Sequence, residues 1–130
     1  KYRLRGGYYL TQLNHQKALD EFTELTRLYP ADFSGLSNLA YVYYQRREMR
    51  KALEEGRKAL DVYPKYSLAR SNCAMFAMYS GDLEMAEKEA SAVVEANPKY
   101  LKGYDTLALA RLAANQPAKA MEIYGRMQAV

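Results

Sequence analysis

Two residues of this sequence, His15 and Cys73, have side chains that commonly act in catalysis or bind metals, and each is the only one of its type. A general base or a structural zinc ion needs further partners nearby, and a single cysteine can form no internal disulfide. We therefore expect His15 to lie at the surface near the start of a helix. We expect Cys73 to be a small buried hydrophobe.

Other residue patterns also give little indication of catalysis. No glycine-rich loop follows a strand, and the pair Gly6 and Gly7 is too short to hold a phosphate group. Glu54 and Glu55 lie three or four residues from lysines, which is typical of solvated pairs on a helix. We predict no catalytic residue, no metal site and no cofactor, so the chain is not expected to be an enzyme.

The elements that position these residues repeat along the chain. Prolines recur every 34 residues, and so do two columns of small residues. The prolines are Pro30, Pro64 and Pro98; the first column is Gly6, Ala40, Ala74 and Ala108; the second is Ala18, Ala52, Ala86 and Ala120. Small residues at these positions allow two helices to approach closely, and a proline inside a helix would cost about 3 kcal/mol. Each period is therefore expected to be one tight pair of antiparallel helices.

Local signals place the breaks within the pairs. In the third period Gly81 is expected to end one helix, and Asp82 to cap the next. In the fourth, Pro117 fits the first turn of a helix. The predicted units are approximately 1–32, 33–66, 67–100 and 101–130, in one domain covering 1–130.

The repeat resembles that of the tetratricopeptide-repeat (TPR) family. The residues of the second unit that match the family pattern are Leu36, Leu39, Ala40, Tyr43, Ala52, Ala59 and Pro64. The resemblance implies an all-α, right-handed superhelical array of antiparallel helix pairs, a TPR-like α-solenoid. Phrases such as KALEEGRKALDVYP also resemble, more weakly, the TPR arrays of bacterial serine/threonine protein kinases, although no kinase motif is present.

A second stripe on the first helix of each pair carries tyrosine, methionine, leucine, serine and asparagine, where a solvated face would carry lysine and glutamate. The family resemblance implies that this stripe lines a concave peptide-binding groove. The expected groove residues are Arg3, Gly7, Leu10, Ser37, Asn38, Tyr41, Tyr44, Gln45, Asn72, Met75, Tyr79, Lys102, Asp105 and Leu109. The same pattern also fits a structural interpretation, in which Tyr41, Tyr44, Met75 and Met78 mainly pack against a neighbouring helix.

We therefore expect a non-catalytic protein–protein interaction module with a protein or peptide partner. One alternative is a regulatory or spacer arm of a bacterial kinase with no peptide of its own, and another is an RNA-binding helical repeat. The formal net charge is +4, and QRREMRK contributes Arg46, Arg47, Arg50 and Lys51. These could contact phosphates, or could form a charged turn on the convex side. No basic stripe recurs in every unit, so we expect no nucleic-acid partner.

Further expectations concern the partner, the ends of the chain and its location. The carboxylate clamp of chaperone-binding family members is suggested by Asn38, or by Asn72 with Lys102, but is incomplete in either register. The chain begins with Lys1, so we expect a fragment of a larger protein, and we expect a cytoplasmic location. No segment is apolar enough to span a bilayer. The last helix is expected to expose apolar surface, which predicts self-association through terminal helices.

Overall fold

The chain forms eight α-helices and no strand, in a computed structural model that describes residues 1–130. The helices are α1 (Tyr2–Thr11), α2 (His15–Leu28), α3 (Phe33–Gln45), α4 (Met49–Val62), α5 (Ser67–Ser80), α6 (Leu83–Ala96), α7 (Leu101–Ala113) and α8 (Pro117–Gln128). The prediction of an all-α fold built of helix pairs is confirmed. No helix is both long and apolar enough to cross a membrane.

The helices fall into two compact units, which we call unit 1 (Lys1–Pro64) and unit 2 (Lys65–Val130). Each unit contains two helix pairs. The division of the chain into a single domain with four repeat units stays a prediction.

In unit 1, α1 packs on α2, α2 on α3, and α3 on α4. The turns between paired helices are short, so the two helices of a pair run antiparallel. On α2, the three-and-four spacing of Ala18, Phe22 and Leu25 places them on one face. That face is buried together with Leu39 and Val42 of α3, and these five residues form the core of the unit.

In unit 2, α5 packs on α6, α6 on α7, α7 on α8, and α5 also on α7. The largest buried side chains here include Phe76, Val93, Leu107 and Ile123. Gly103 lets α7 approach α6 closely, because a Cβ there would lie 2.7 Å from Cγ1 of Val93.

The turn between the helices of each pair contains one residue in the left-handed conformation, and these residues recur every 34 positions. They are Leu13 (φ 54°), Arg47 (φ 64°), Gly81 (φ 91°) and Asn115 (φ 57°). Gly81 ends α5, and the Asp82 carboxylate accepts a hydrogen bond from the Met85 backbone N–H at 3.1 Å. Pro117 lies in the first turn of α8. The three predictions for Gly81, Asp82 and Pro117 are confirmed.

Candidate peptide-binding surfaces

Arg3, the first of the predicted groove residues, is held in an ion pair between two helices. Its Nη2 atom lies 2.5 Å from Oδ2 of Asp32. The other carboxylate oxygen of Asp32 accepts a hydrogen bond of 2.6 Å from the backbone N–H of Gly35 and so caps α3. Arg3 therefore fastens α1 to the beginning of α3, and its charge is compensated within the protein.

The other two groove candidates on α1 differ from each other. Leu10 is partly buried and packs against the core of unit 1, which gives it a structural role. Gly7 is half-buried, and a Cβ added there would meet nothing within 4 Å. Of these two, only Gly7 lies beside open space.

At the carboxyl end of α3, three candidates contact one another. The rings of Tyr41 and Tyr44 have centroids 6.2 Å apart and planes tilted by 35°. Gln45 Nε2 donates a hydrogen bond of 2.5 Å to the hydroxyl oxygen of Tyr41, which is 43% exposed. These residues form a small aromatic and polar cluster at the surface of unit 1.

Nearer the start of α3, Asn38 and Ser37 are both half-buried. Asn38 Nδ2 donates to Ser34 Oγ at 3.4 Å, which leaves the side-chain oxygen of Asn38 as an acceptor. Ser37 Oγ is buried and has no hydrogen-bond partner. The polar part of the predicted stripe thus lies on this helix, but it is less accessible than the tyrosine end.

In unit 2, the fold brings Asn72 of α5 and Lys102 of α7 together. Lys102 Nζ donates a hydrogen bond of 3.1 Å to Oδ1 of Asn72, although the two residues are 30 positions apart. Because the side-chain oxygen of Asn72 is used, its NH₂ group is the part that remains to donate to another molecule. The sequence pointed to this pair only by analogy with the TPR clamp, and the structure provides the contact.

Side chains of mixed character surround this polar pair. Met75 is half-buried on α5, and Tyr79 on the same helix is 55% exposed. Asp105 is exposed on α7, and Leu109, one turn further, is 38% exposed. We call the set Asn72, Met75, Tyr79, Lys102, Asp105 and Leu109 the α5–α7 surface.

Two polar residues next to the predicted groove residues, Ser71 of α5 and Thr106 of α7, lie inside unit 2 and cannot face a ligand. Ser71 is 0% exposed and Thr106 is 4% exposed. Their hydroxyl oxygens are 3.4 Å apart, and Thr106 Oγ1 also donates to the backbone oxygen of Lys102 at 2.9 Å. These two residues join α5 to α7 and therefore belong to the packing of the unit.

The basic segment after α3 is partly neutralised by one carboxylate. Glu48 lies 2.7 Å from Arg46 Nε and 2.7 Å from Lys51 Nζ. The hydrogen bond from Lys51, followed by that from Arg46, lowers the pKa of Glu48 below its ordinary value of 4.5. Arg47 and Arg50 are exposed on either side of this group.

Cys73 is buried and His15 begins a helix, as the sequence predicts, but His15 is half-buried and not fully at the surface. His15 is the first residue of α2, and Cys73 is fully buried on α5. The full burial of Cys73 agrees with the expected role of a small core residue.

Paired antiparallel helices with a 34-residue repeat define a class of helical-repeat proteins, and comparison with solved structures identifies the fold as that of TPR proteins. MamA (residue 41 to the end) from Desulfovibrio magneticus RS-1 has a TM-score of 0.92 and 16% identity, over 98% of this chain and 72% of that chain. YrrB, described as a TPR protein with an unusual peptide-binding site, has a TM-score of 0.89 and 20% identity, over 97% and 65%.

A third similar structure contains a bound peptide. The first TPR of Spaghetti (RPAP3), bound to the HSP90 peptide SRMEEVD, has a TM-score of 0.81 and 21% identity, over 88% of this chain and 90% of that chain. No protein-family model and no curated protein sequence matches this chain. At these identities the structural comparisons establish the fold, and the predicted resemblance to TPR proteins is confirmed at that level.

Proposed function

We propose that this chain is a non-catalytic protein-interaction module that holds an extended segment of a partner protein on the α5–α7 surface. The observation that carries the proposal is the hydrogen bond between Lys102 Nζ and Asn72 Oδ1 at 3.1 Å. It fixes an ammonium group and an amide side by side on two helices. Both can then bind the polar backbone of a peptide without first losing much side-chain entropy.

The neighbours of this pair supply the apolar contacts that a peptide also needs. Tyr79 and Leu109 expose part of their side chains, and Met75 is flexible enough to adapt to different partners. Asp105, on the same helix as Lys102, adds an acceptor for a backbone N–H or a basic side chain. A surface with both polar and apolar groups suits an extended peptide better than it suits a small polar metabolite.

The predicted groove residues of unit 1 have two different roles in the proposal, contact with the partner and support of the fold. Tyr41, Tyr44 and Gln45 form a second candidate contact surface, and Ser37, Asn38 and Gly7 are further candidates in unit 1. Arg3 is committed to Asp32 and Leu10 to the core, so we propose that these two act through the stability of α1.

The comparisons support the general form of the proposal. Three similar TPR structures are described by their peptides or their peptide-binding site. They are YrrB, the first TPR of Spaghetti (RPAP3) with an HSP90 peptide, and the second TPR domain of human RPAP3 with an HSP70 peptide. No catalytic family is indicated by these structural neighbours. Peptide binding by this chain is nevertheless our inference from the α5–α7 surface.

The test begins with selection from a phage-displayed random peptide library, followed by calorimetric measurement of Kd for the enriched peptides. Lys102→Ala and Leu109→Ser are expected to weaken binding by tenfold or more, since interface residues that matter typically contribute above about 1 kcal/mol. Lys88→Ala on α6 and Leu101→Ser on α7 are matched controls, because both residues are exposed and lie outside the α5–α7 surface. Circular dichroism checks that all variants remain helical.

Other outcomes would favour the other functions considered. If no peptide is enriched, a spacer or regulatory arm, such as one within a kinase, is the better interpretation. If the controls weaken binding as much as Lys102→Ala does, the peptide binds elsewhere. Binding to RNA that falls steeply with salt concentration would instead support an RNA-binding repeat.

Self-association is a separate proposal about the terminal helices. Met121 of α8 is 69% exposed, and Tyr124 and Met127 of the same helix are only partly buried. We propose that this apolar surface meets a second copy of the chain. Sedimentation equilibrium tests it: association that weakens in Met121→Lys supports the contact, and a monomer at all concentrations contradicts it.

A further inference from the structure

Two turns of unit 1 keep residues in a conformation that their side chains disfavour. Leu13 and Arg47 have positive φ values of 54° and 64°. The equivalent turns of unit 2 use Gly81 and Asn115, which are types that adopt this conformation readily. The turn itself therefore does not require a strained residue, because glycine or asparagine could occupy positions 13 and 47 as well.

The side chain of Leu13 gains little from packing inside the protein. It is 77% exposed, although leucine is among the residues most often buried. A strained residue that contributes so little to packing suggests a role outside the fold.

The two strained turns lie at the same edge of unit 1. Arg46 Nη1 donates a hydrogen bond of 2.6 Å to Oε1 of Gln16. Arg46 immediately precedes Arg47, and Gln16 lies in the first turn of α2, directly after the turn that contains Leu13. This hydrogen bond therefore holds Leu13 and Arg47 on one side of the molecule.

Basic side chains dominate this edge. The set that we call the basic turn edge consists of Leu13, Lys17, Arg46, Arg47, Arg50 and Lys51. The acidic residues near these groups are Glu48, Asp20 and Glu54. Glu48 pairs with Arg46 and Lys51, Asp20 accepts a hydrogen bond from Gln16, and Glu54 lines a cavity with Arg50. Five basic groups thus lie near three carboxylates, so the edge carries a net positive charge.

We propose that the basic turn edge docks on the surface of an anionic lipid bilayer, with Leu13 entering the interfacial layer and the basic side chains binding lipid headgroups. Neither one apolar side chain nor a few charges gives stable membrane attachment, but the two together strengthen each other. A bilayer deforms around a protruding leucine, whereas RNA has no apolar layer to receive it. This function is distinct from peptide binding, because none of its residues belongs to the α5–α7 surface or to the second candidate contact surface of Tyr41, Tyr44 and Gln45.

The test is flotation of the full chain with phosphatidylcholine vesicles that either contain or lack phosphatidylserine. We expect binding only when phosphatidylserine is present, with a decrease as salt is raised. Arg47→Gly removes one charge and should lower the vesicle partition coefficient about fivefold. Leu13→Gly should lower it severalfold. Both variants relieve the left-handed strain, so their melting temperatures should be unchanged or higher.

Two matched variants serve as controls. Asn115→Gly makes the same kind of change in an equivalent turn of unit 2, and Lys99→Gln removes an exposed charge from unit 2. Neither should change vesicle binding. The proposal is overturned if phosphatidylserine vesicles do not bind, if Leu13→Gly binds like the unmodified chain, or if polyuridylate binds in preference to the vesicles.

Discussion

Phe22 occupies the space that a side chain at Gly6 would need. A Cβ at Gly6 would lie 2.7 Å from Cζ of the Phe22 ring and less than 3.0 Å from both of its Cε atoms. The ring is fully buried, so it cannot swing into solvent to make room. The contact between α1 and α2 therefore requires a glycine at this position.

Gly6→Ala should destabilise the protein even though alanine is the better helix former. The overpacking against Phe22 should cost roughly 1–3 kcal/mol, and the helix preference returns about 1 kcal/mol. Gly7→Ala is the matched control, because its Cβ would meet nothing within 4 Å and should stabilise the protein by up to about 1 kcal/mol. Urea unfolding measures the change in the free energy of unfolding for both variants. If both are stabilised or both are destabilised, the close contact between Gly6 and Phe22 is contradicted.

Gly81→Ala should destabilise unit 2 by roughly 1–2 kcal/mol, because φ at this position is +91° and an L side chain is strained there. The control is Gly125→Ala, which lies within α8 and has no neighbour within 4 Å of its added Cβ. It should stabilise by up to about 1 kcal/mol. Thermal unfolding of the two variants should shift in opposite directions.

Arg5→Ala should destabilise unit 1 because it leaves a buried carboxylate alone. Arg5 Nη2 lies 2.6 Å from Glu21 Oε1, and Oε2 of Glu21 is buried without a hydrogen-bond partner. Arg5 is half exposed, so we expect a loss of roughly 1–2 kcal/mol, below that of fully buried pairs. Adding Glu21→Leu to Arg5→Ala should restore most of the lost free energy of unfolding, measured with urea. If stability is not restored, the unpaired Glu21 carboxylate is not the cause of the loss.

Ser71→Ala and Thr106→Val should change stability and leave peptide binding unaltered. Both hydroxyls are buried, and they lie 3.4 Å apart between α5 and α7. Loss of one neutral hydrogen bond typically changes stability by about 0.5–1.5 kcal/mol. The check is calorimetric Kd with a selected peptide, alongside urea unfolding. A weaker Kd without lower stability would place these residues in the binding surface.

Acidification should remove a contribution to stability that comes from Glu48. Its pKa is lowered in the folded protein by Lys51 first and Arg46 second. A lowered folded pKa means that the contribution is present above about 4.5 and is lost as the pH falls through the folded value. Glu48→Gln should therefore show a smaller drop in urea midpoint than the unmodified chain does over that pH range. Identical pH profiles would argue against the pairing.

The sequence predicts the helices and the positions where they begin and end well, because these depend on local signals. Gly81, Asp82 and Pro117 each act within three residues of their own position, and each lies where the sequence places it. The 34-residue period also predicts the pairing of helices, since the same small residues recur at each contact.

The candidate site is harder to predict from the sequence than the helices are, because helical periodicity does not distinguish a surface from a contact with the next helix. Thr106 and Leu109 belong to one stripe on α7, yet Thr106 is buried and Leu109 is partly exposed. The pairing of Arg3 with Asp32 depends on a contact between residues 29 positions apart, which no local pattern contains. The left-handed turns at Leu13 and Arg47 run against residue preference, so only the 34-residue period indicates them in the sequence.

The carboxylate of Asp32 is shared by two helices, since one oxygen caps α3 and the other pairs with Arg3 of α1. A helix that packs mainly on one neighbour, as α1 does on α2, would ordinarily open by itself, with amide protons that exchange quickly. Here the release of Arg3 also disturbs the cap of α3, so opening of α1 and of the first turn of α3 is thermodynamically linked. The amide of Gly35 thus becomes a reporter of whether the first helix is docked.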